Sequence, residues 1–283
     1  MNWLILVACS FLLTGVAAAI HRYILREEHV YSYGFLFNLL SAAFFIPLLL
    51  TEPIVLPADT GGWFLLLAAA ALWWTTNIIG FTGISKTEAT LGKPLAGSKV
   101  LLVLVLGVLL LGESVNAMKV GGSLLVVGGL LVLTWKKGWL GHLKHEGVQL
   151  TLAAAVIYAC VSVLDKYNMA AVSANVYGFL MYFLPAIPLG AMAFARIPKL
   201  KQTIRNKWRH IILVGLAYGG MYYFMLNAYK LAEVSVVYPL IQLGTLVTLG
   251  ISYLWLGEKT DFRQRAAGAV LMIAGAALVA LGA

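Results

Sequence analysis

The chain contains ten apolar runs in succession, separated by short polar connections. A helix rises 1.5 Å per residue, so about 20 residues cross a hydrocarbon core of roughly 30 Å. The sequence therefore predicts an all-α integral membrane protein with ten transmembrane helices. The approximate bounds of the runs are 2–21, 31–50, 62–84, 89–111, 116–135, 148–166, 174–195, 209–230, 234–256 and 264–282.

Composition supports this fold class and narrows the function. The 283 residues are 61% hydrophobic and 11% charged, outside the usual range of soluble domains. The first run has no charged segment before it, so we expect a retained helix and not a signal peptide. Cys9 and Cys160 lie inside apolar runs, and no metal-binding, dinucleotide-binding or phosphate-binding motif is present. We expect no metal, no cofactor and no enzyme activity.

The second half of the chain repeats the first at shifts of 144 to 146 residues. Each copy has five crossings, an odd number, so the second copy enters the membrane from the opposite side. We predict two inverted five-helix repeats, residues 1–145 and 146–283, an architecture typical of alternating-access carriers. The matched positions are 22–23 with 166–167, 33–36 with 177–180, Glu88 with Glu233, 111–113 with 256–258, and Gly122 and Gly129 with Gly268 and Gly275.

The basic residues of the connections predict an orientation. If the crossings alternate, one side carries three of them, Lys119, Lys166 and Lys230, and the other carries fifteen. This bias predicts that the basic loops are cytoplasmic and that both termini lie outside. It also accounts for most of the net charge of +9 without a nucleic-acid partner. The fifteen are Arg22, Arg26, Lys86, Lys136, Lys137, Lys144, Arg196, Lys199, Lys201, Arg205, Lys207, Arg209, Lys259, Arg263 and Arg265.

Each half ends in a Leu-Gly-Glu turn followed by a helix with spaced glycines, LLLGES at 109–114 and LWLGEKT at 254–260, and AEVSVVYPL stands at 232–240. In these motifs and their order the chain resembles the drug/metabolite transporter (DMT) superfamily, EamA type, over essentially its whole length. The resemblance implies a ten-helix carrier whose central cavity is lined largely by the third, fourth, eighth and ninth helices. Members move amino acids, other metabolites, nucleotide sugars, sugar phosphates or drugs, so the resemblance does not give the substrate.

The ninth predicted helix carries a polar stripe on one face. Pro239, like its repeat partner Pro94 in the fourth helix, removes one helix hydrogen bond. A carbonyl freed at membrane depth is tolerated where protein or water satisfies it. We expect this face to line the cavity; the alternative is a kinked helix against packed neighbours. The stripe consists of Ser235, Tyr238, Gln242 and Thr245.

The fourth helix departs from the repeat because it carries two lysines. Lys93 lies near the helix start, where it either reaches the cytoplasmic surface or faces the cavity. Lys99 lies near the predicted midplane, and a lysine there costs roughly 2.5–3.5 kcal/mol on insertion scales. Its repeat partner is Gly244, so symmetry did not require it. Three roles stay open for Lys99: an anion-binding group, a structural salt bridge, or a group that loses its proton during transport.

Further polar residues at mid-depth complete a candidate substrate site. Asn77 with Tyr222, and Asn38 with Tyr182, are repeat partners. Trp73 or Trp74 is also deep enough to line the cavity. The predicted substrate-binding residues are Lys99, Lys93, Asn77, Tyr222, Tyr238, Gln242, Ser235, Tyr182 and Asn38.

Acidic residues give no clear midplane cation site. We expect Glu113 to cap the helix that follows its turn, and Glu233 to cap the proline helix. Asp165 stands beside Lys166 near a helix end and is expected at the interface.

Together these features predict a secondary transporter of small organic metabolites in the plasma (inner) membrane, working by alternating access on an organic anion. One alternative is export of neutral amino acids or aromatic drug-like compounds, and another is a membrane subunit that transports nothing. The expected partners are the small-molecule substrate, membrane lipids and a coupling ion, either a proton or a counter-substrate.

Overall fold

The structure, a computed structural model, describes residues 2–86, 97, 99–135, 145–255 and 262–283. Every long element in these ranges is helical. The helices are α1 (Trp3–Glu27), α2 (Val30–Phe45, continued by a 3₁₀ turn, Pro47–Leu50), α3 (Thr60–Lys86), α4 (Lys99–Leu111), α5 (Ala117–Thr134), α6 (Glu146–Asn168), α7 (Ala174–Phe194), α8 (Ile197–Leu231), α9 (Val234–Ile241), α10 (Gly244–Trp255) and α11 (Phe262–Leu281).

These helices confirm the predicted all-α membrane fold. Nine segments in the described ranges are long and apolar enough to cross a membrane, one of them formed by α9 and α10 together. The shorter apolar helix α4 lies in the fourth predicted crossing, whose residues 87–96 and 98 are outside the described ranges. Within hydrocarbon only a helix satisfies its own backbone groups, so long runs of Leu, Ala and Val become helices.

The inversion of the two halves is visible where α5 crosses α11. A Cβ atom placed on Gly122 would lie 2.6 Å from the carbonyl oxygen of Gly275, and one on Gly129 would lie 2.6 Å from that of Gly268. The sequence repeat matches Gly122 with Gly268 and Gly129 with Gly275. Each glycine therefore meets the partner of the other, as two antiparallel copies of one helix do around a two-fold axis.

The other helix contacts follow the same symmetry when α9 and α10 are counted as the ninth crossing. Helix α2 packs along α7, its own repeat partner. The contact of α3 with α6 is matched by that of α8 with α1, and the contact of α1 with α10 by that of α6 with α4. The predicted seam near residue 145 adjoins residues 136–144, which lie outside the described ranges.

Contacts between helix termini define two ends of the bundle. At the end where α1, α3 and α5 finish, Lys86 pairs with Glu146, and the Thr203 hydroxyl donates to Glu28. We call this the basic end, after the fifteen basic residues that the sequence predicts for its connections. At the end where α4, α6 and α8 finish, the Asn116 amide donates to the Gly282 carbonyl. We call this the sealed end, because Glu113 and Glu233 join the two halves there.

The ninth crossing is interrupted, whereas the sequence predicted one run over 234–256 in which Pro239 removes a single helix hydrogen bond. Helix α9 ends at Ile241 and α10 begins at Gly244, just beyond Pro239. The Gln242 and Leu243 amides donate to carbonyls three residues earlier, so tight turns replace the regular bonds at the break. The interruption lies beside the polar stripe that the sequence placed on this crossing.

The glycine contact between α5 and α11 should dominate the stability of this pair. We expect Gly122→Ala to lower the free energy of unfolding by about 1–3 kcal/mol, because the added methyl group meets backbone atoms. Gly121→Ala is the matched control, since a Cβ atom there meets nothing within 4 Å. Thermal unfolding of both variants in one detergent provides the comparison. Equal stability of the two variants would contradict the close approach.

Candidate functional site

A cavity of about 310 Å³ lies at the centre of the bundle. Side chains from α1, α2, α3, α4, α6, α7, α8, α9 and α10 line it, so both halves contribute. Its lining extends to Arg22, Ile84 and Thr151, which lie near the basic end on α1, α3 and α6. The cavity is thus displaced toward the basic end of the bundle.

Lys99, at the start of α4, brings a cationic group to the cavity wall. Its Nζ lies 4.1 Å from the ring centroid of Tyr158 and 5.6 Å from that of Tyr238. Such cation–π contacts contribute up to about 2 kcal/mol when the site is desolvated. No carboxylate of the described residues lies within ion-pair distance of Lys99. Two aromatic rings are therefore its observed partners.

The cavity wall is mainly aromatic around this lysine. The Trp73 ring lies 5.3 Å from that of Tyr158 and 6.3 Å from that of Tyr182, centroid to centroid. Two lining groups, the Trp73 Nε1 and the Thr76 hydroxyl, have no hydrogen-bond partner among the described residues. Buried polar groups in folded proteins are rarely left unpaired, so these two are candidates for hydrogen bonds to a bound molecule.

Five of the predicted site residues line the cavity: Lys99, Asn77, Tyr182, Tyr238 and Gln242. Asn38 lies behind the wall, fully buried, and accepts a hydrogen bond from the Asn77 amide at 3.3 Å. Its own amide donates to the Gly34 carbonyl at 2.8 Å. Asn38 therefore orients Asn77, and its side chain does not reach the cavity.

The other predicted site residues lie elsewhere. Tyr222 is fully buried behind Tyr182, with its ring edge-on at 5.4 Å between centroids. Ser235 is buried in the first turn of α9, away from the cavity wall. Lys93 lies outside the described residues.

Sequence reasoning missed His21, Tyr158 and Thr76, which also line the cavity. His21 Nδ1 shares a hydrogen bond of 2.6 Å with the Tyr33 hydroxyl and lies among aromatic rings. One available signal was that a histidine inside an apolar run is as exceptional as a lysine. The described residues contain no group of three or more His, Cys, Asp or Glu side chains that could hold a metal ion.

The sealed end is closed by Glu113, whose role differs from our prediction. Gly112, with φ of 67°, ends α4 in the left-handed conformation that glycine adopts easily. The Glu113 carboxylate then accepts from the Val234 amide at 2.6 Å and the Ser235 amide at 2.9 Å. It therefore caps α9 of the other half, while Asn116 caps α5, the helix that follows its turn.

Glu233 also joins the two halves instead of capping its own helix. Its carboxylate pairs with the buried Lys119 ammonium group and accepts from the Ser114 hydroxyl at 3.1 Å. Burial raises the pKa of Glu233, but the hydrogen bonds from Lys119 and Ser114 outweigh this effect and hold the pKa below its ordinary value. This ion pair therefore persists at neutral pH and is lost as the pH falls through that lowered pKa.

A model of the EamA-like transporter family matches residues 1–135 and again residues 145–281. The chain belongs to the EamA-like transporter family. Members of this family are DMT-type membrane transporters, and the double match agrees with the two halves of the fold.

Solved structures show the same fold over nearly the whole chain. A structure described as "Crystal structure of protein" matches with a TM-score of 0.79 and 17% identity, covering 99% of this chain and 98% of the other. At this identity the likeness shows the fold alone. No curated protein sequence matches the chain.

The capping of α9 by Glu113 should stabilise the closed arrangement. We expect Glu113→Gln to lower the free energy of unfolding by about 1.5–3 kcal/mol, because hydrogen bonds to a charged acceptor are lost from a buried site. Glu146→Gln removes the exposed pair with Lys86 and should cost less than about 1 kcal/mol. Unfolding in mixed micelles measures both, and a smaller loss for Glu113→Gln than for Glu146→Gln would contradict this role.

Proposed function

We propose that this EamA-like transporter moves a small organic anion by alternating access, and that Lys99 binds the anionic group. The observation that carries the proposal is the position of Lys99. Its ammonium group lines the central cavity with two aromatic rings beside it and no carboxylate of the described residues within ion-pair distance.

Electrostatics favour an anion at this position. A desolvated charge is costly unless it is paired, and cation–π contacts compensate only part of the cost. A carboxylate or phosphate oxygen beside Lys99 would supply a charge-assisted hydrogen bond. The Trp73 Nε1 and the Thr76 hydroxyl line the same cavity and could donate to the same molecule.

The cavity also favours a small substrate with an apolar part. Its volume of about 310 Å³ is at the lower end of the range for small-molecule sites. Aromatic side chains such as Phe37, Trp73 and Tyr218 form much of its wall. We infer that the substrate joins an anionic group to a small apolar body.

Alternating access is supported by the two ends of the bundle. The cavity reaches toward the basic end, while Glu113 and Glu233 join the halves at the sealed end. Because the repeats are inverted, exchanging their conformations would open the sealed end and close the basic end. The sequence repeat matches Glu113 with Glu258, which lies outside the described residues.

The orientation proposed is the one that the loop charges favour. Fifteen basic residues belong to the connections of the basic end, so we place this end in the cytoplasm and both termini outside. The cavity of this structure would then face the cytoplasm of a cell with the protein in its plasma membrane.

A second candidate substrate is a neutral or aromatic compound. The contact of Lys99 with Tyr158 and Tyr238 favours it, because these rings already provide the ammonium group with partners. In that case Lys99 would stabilise the cavity wall and the aromatic side chains would bind the solute.

Ligand binding to Lys99→Met separates these candidates. We expect carboxylates or phosphates to raise the melting temperature of the wild type. A ligand present at a hundred times its dissociation constant should add about 2.7 kcal/mol to the free energy of unfolding. Lys99→Met should bind the same anion roughly 10–100-fold more weakly, since a charge-assisted hydrogen bond is lost. A thermal-shift screen of anions, neutral amino acids and cations measures this.

Lys201→Met is the control because Lys201 is an exposed lysine outside the cavity. Stabilisation of wild type and Lys99→Met by the same neutral compounds alone would support the second candidate. Flux of the identified ligand into liposomes containing the purified protein then tests transport itself. Binding without any flux would indicate a subunit that transports nothing.

A further inference from the structure

The sequence repeat matches Asp165 with His21, which lines the cavity. The Tyr33 hydroxyl shares a hydrogen bond of 2.6 Å with His21, and the Tyr177 hydroxyl donates to Asp165 at 2.8 Å. Both contacts join residues twelve apart, and both obey the shift of 144 that relates the two halves. The two halves thus hold one titratable group each at the same place.

The two positions differ in this structure, because only one of them borders the cavity. His21 and its neighbour Arg22 line the cavity, toward the basic end. Asp165 is 2% exposed and does not line the cavity, although the sequence suggested an interfacial carboxylate. Its neighbour Lys166 donates to the carbonyl oxygens of Tyr229 and Ala232, where α8 ends. Asp165 is therefore part of the sealed end.

The groups that face Asp165 provide no counter-ion among the described residues. They are tyrosine hydroxyls from three helices, and Lys166, next in the chain, directs its ammonium group to backbone carbonyls. A carboxylate buried without a cation carries a large desolvation cost, and a neutral carboxylic acid does not. The facing tyrosines are Tyr158 on α6, Tyr177 and Tyr182 on α7, and Tyr222 and Tyr229 on α8.

We propose that Asp165 is a proton-binding site that controls closure of the sealed end. The carboxylate takes a proton from the water on that side, and the neutral acid is then enclosed beside Tyr177. The inference rests on the alternating access proposed above, because it requires a state in which the sealed end is open. In that state Asp165 lines the cavity, as His21 does here.

The expected effect has a definite sign. An aspartate in water loses its proton near pH 4, whereas the enclosed Asp165 keeps it. In the pH range where the open state has lost this proton and the closed state has kept it, the closed state binds one more proton. The equilibrium constant for closure then falls by up to about tenfold for each unit of pH increase. Acid on the sealed side therefore favours the conformation of this structure. The Lys119–Glu233 pair does not oppose this effect, because Glu233 stays ionised until more acidic pH.

Two repeat partners can report on the two ends. Ser10 is fully buried toward the sealed end, whereas Ala154, its partner at a shift of 144, lines the cavity. Ser10→Cys and Ala154→Cys are made separately in a Cys9→Ala/Cys160→Ala protein in lipid nanodiscs. The labelling rate with a membrane-impermeant methanethiosulfonate reagent is measured between about pH 5 and pH 9. Dividing by the rate of the same variant unfolded in SDS at each pH removes the titration of the thiol itself.

We expect the normalised rate of Ser10→Cys to rise with pH and that of Ala154→Cys to fall. Asp165→Asn, which stays neutral, should keep the Ser10→Cys rate low at every pH while Ala154→Cys stays reactive, which also shows that the variant is folded. Asp59→Asn changes an exposed acid near the start of α3. It should leave the labelling rates of both cysteine variants unchanged. The proposal would be overturned if the labelling rates did not depend on pH when Asp165 is present, or if Asp165→Asn left their pH dependence unchanged.

Tyr177→Phe provides a second variant that keeps the carboxyl group. The Tyr177 hydroxyl donates to the Asp165 carboxyl group in the closed arrangement, so its loss weakens closure and should move the closing transition to lower pH. Tyr33→Phe is its repeat-matched control and should leave the transition in place. A transition that Tyr177→Phe and Tyr33→Phe shift equally would count against Asp165.

The two proposals fail in distinguishable ways. A Ser10→Cys thiol that never reacts at any pH, while Ala154→Cys does, would contradict alternating access and the proton site together. Reaction of Ser10→Cys at a rate independent of pH and of Asp165→Asn would contradict the proton site alone.

Discussion

Backbone hydrogen bonding inside the membrane is the constraint on which this structure depends. Each crossing must satisfy its own amides and carbonyls, so an interrupted helix needs partners from elsewhere. The ninth crossing shows how this is achieved. The start of α9 takes a carboxylate from Glu113, a residue of the other half, and the break after Ile241 is bridged by tight turns. The interruption beside the cavity and the joint between the halves are therefore one arrangement.

The inverted repeat matches the main helix–helix contacts in pairs, so the residues that break the symmetry are informative. Lys99 corresponds to Gly244, and His21 corresponds to Asp165. Packing around a two-fold axis does not demand either difference, as the matched glycines of α5 and α11 show. Charged or titratable groups are costly in a membrane, so an unmatched one requires a function or a specific partner.

Much of the fold was predictable from the sequence because hydrophobic length and repetition determine it. The glycine matches predicted which helices correspond, and the structure places Gly122 against Gly275 in the inverted manner. The site was less accessible, because the direction in which a side chain points depends on packing between helices. Asn38 and Asn77 have similar sequence contexts, yet only Asn77 reaches the cavity and Asn38 supports it from behind. Glu113 was expected to cap a neighbouring helix, and a contact 121 residues away does not follow from local pattern.

Under the proposed function, the aromatic rings beside Lys99 would let one cation serve both the empty and the substrate-bound protein. Without substrate, the rings of Tyr158 and Tyr238 offset part of the cost of its charge, so the empty cavity need not collapse onto a carboxylate. A permanent salt bridge in the same place would hold the ammonium group too strongly and compete with the substrate. Both rings belong to the second half and Lys99 to the first. Binding of an anion between them would therefore act on the contact between the two halves, which is the contact that the proposed alternating access has to change.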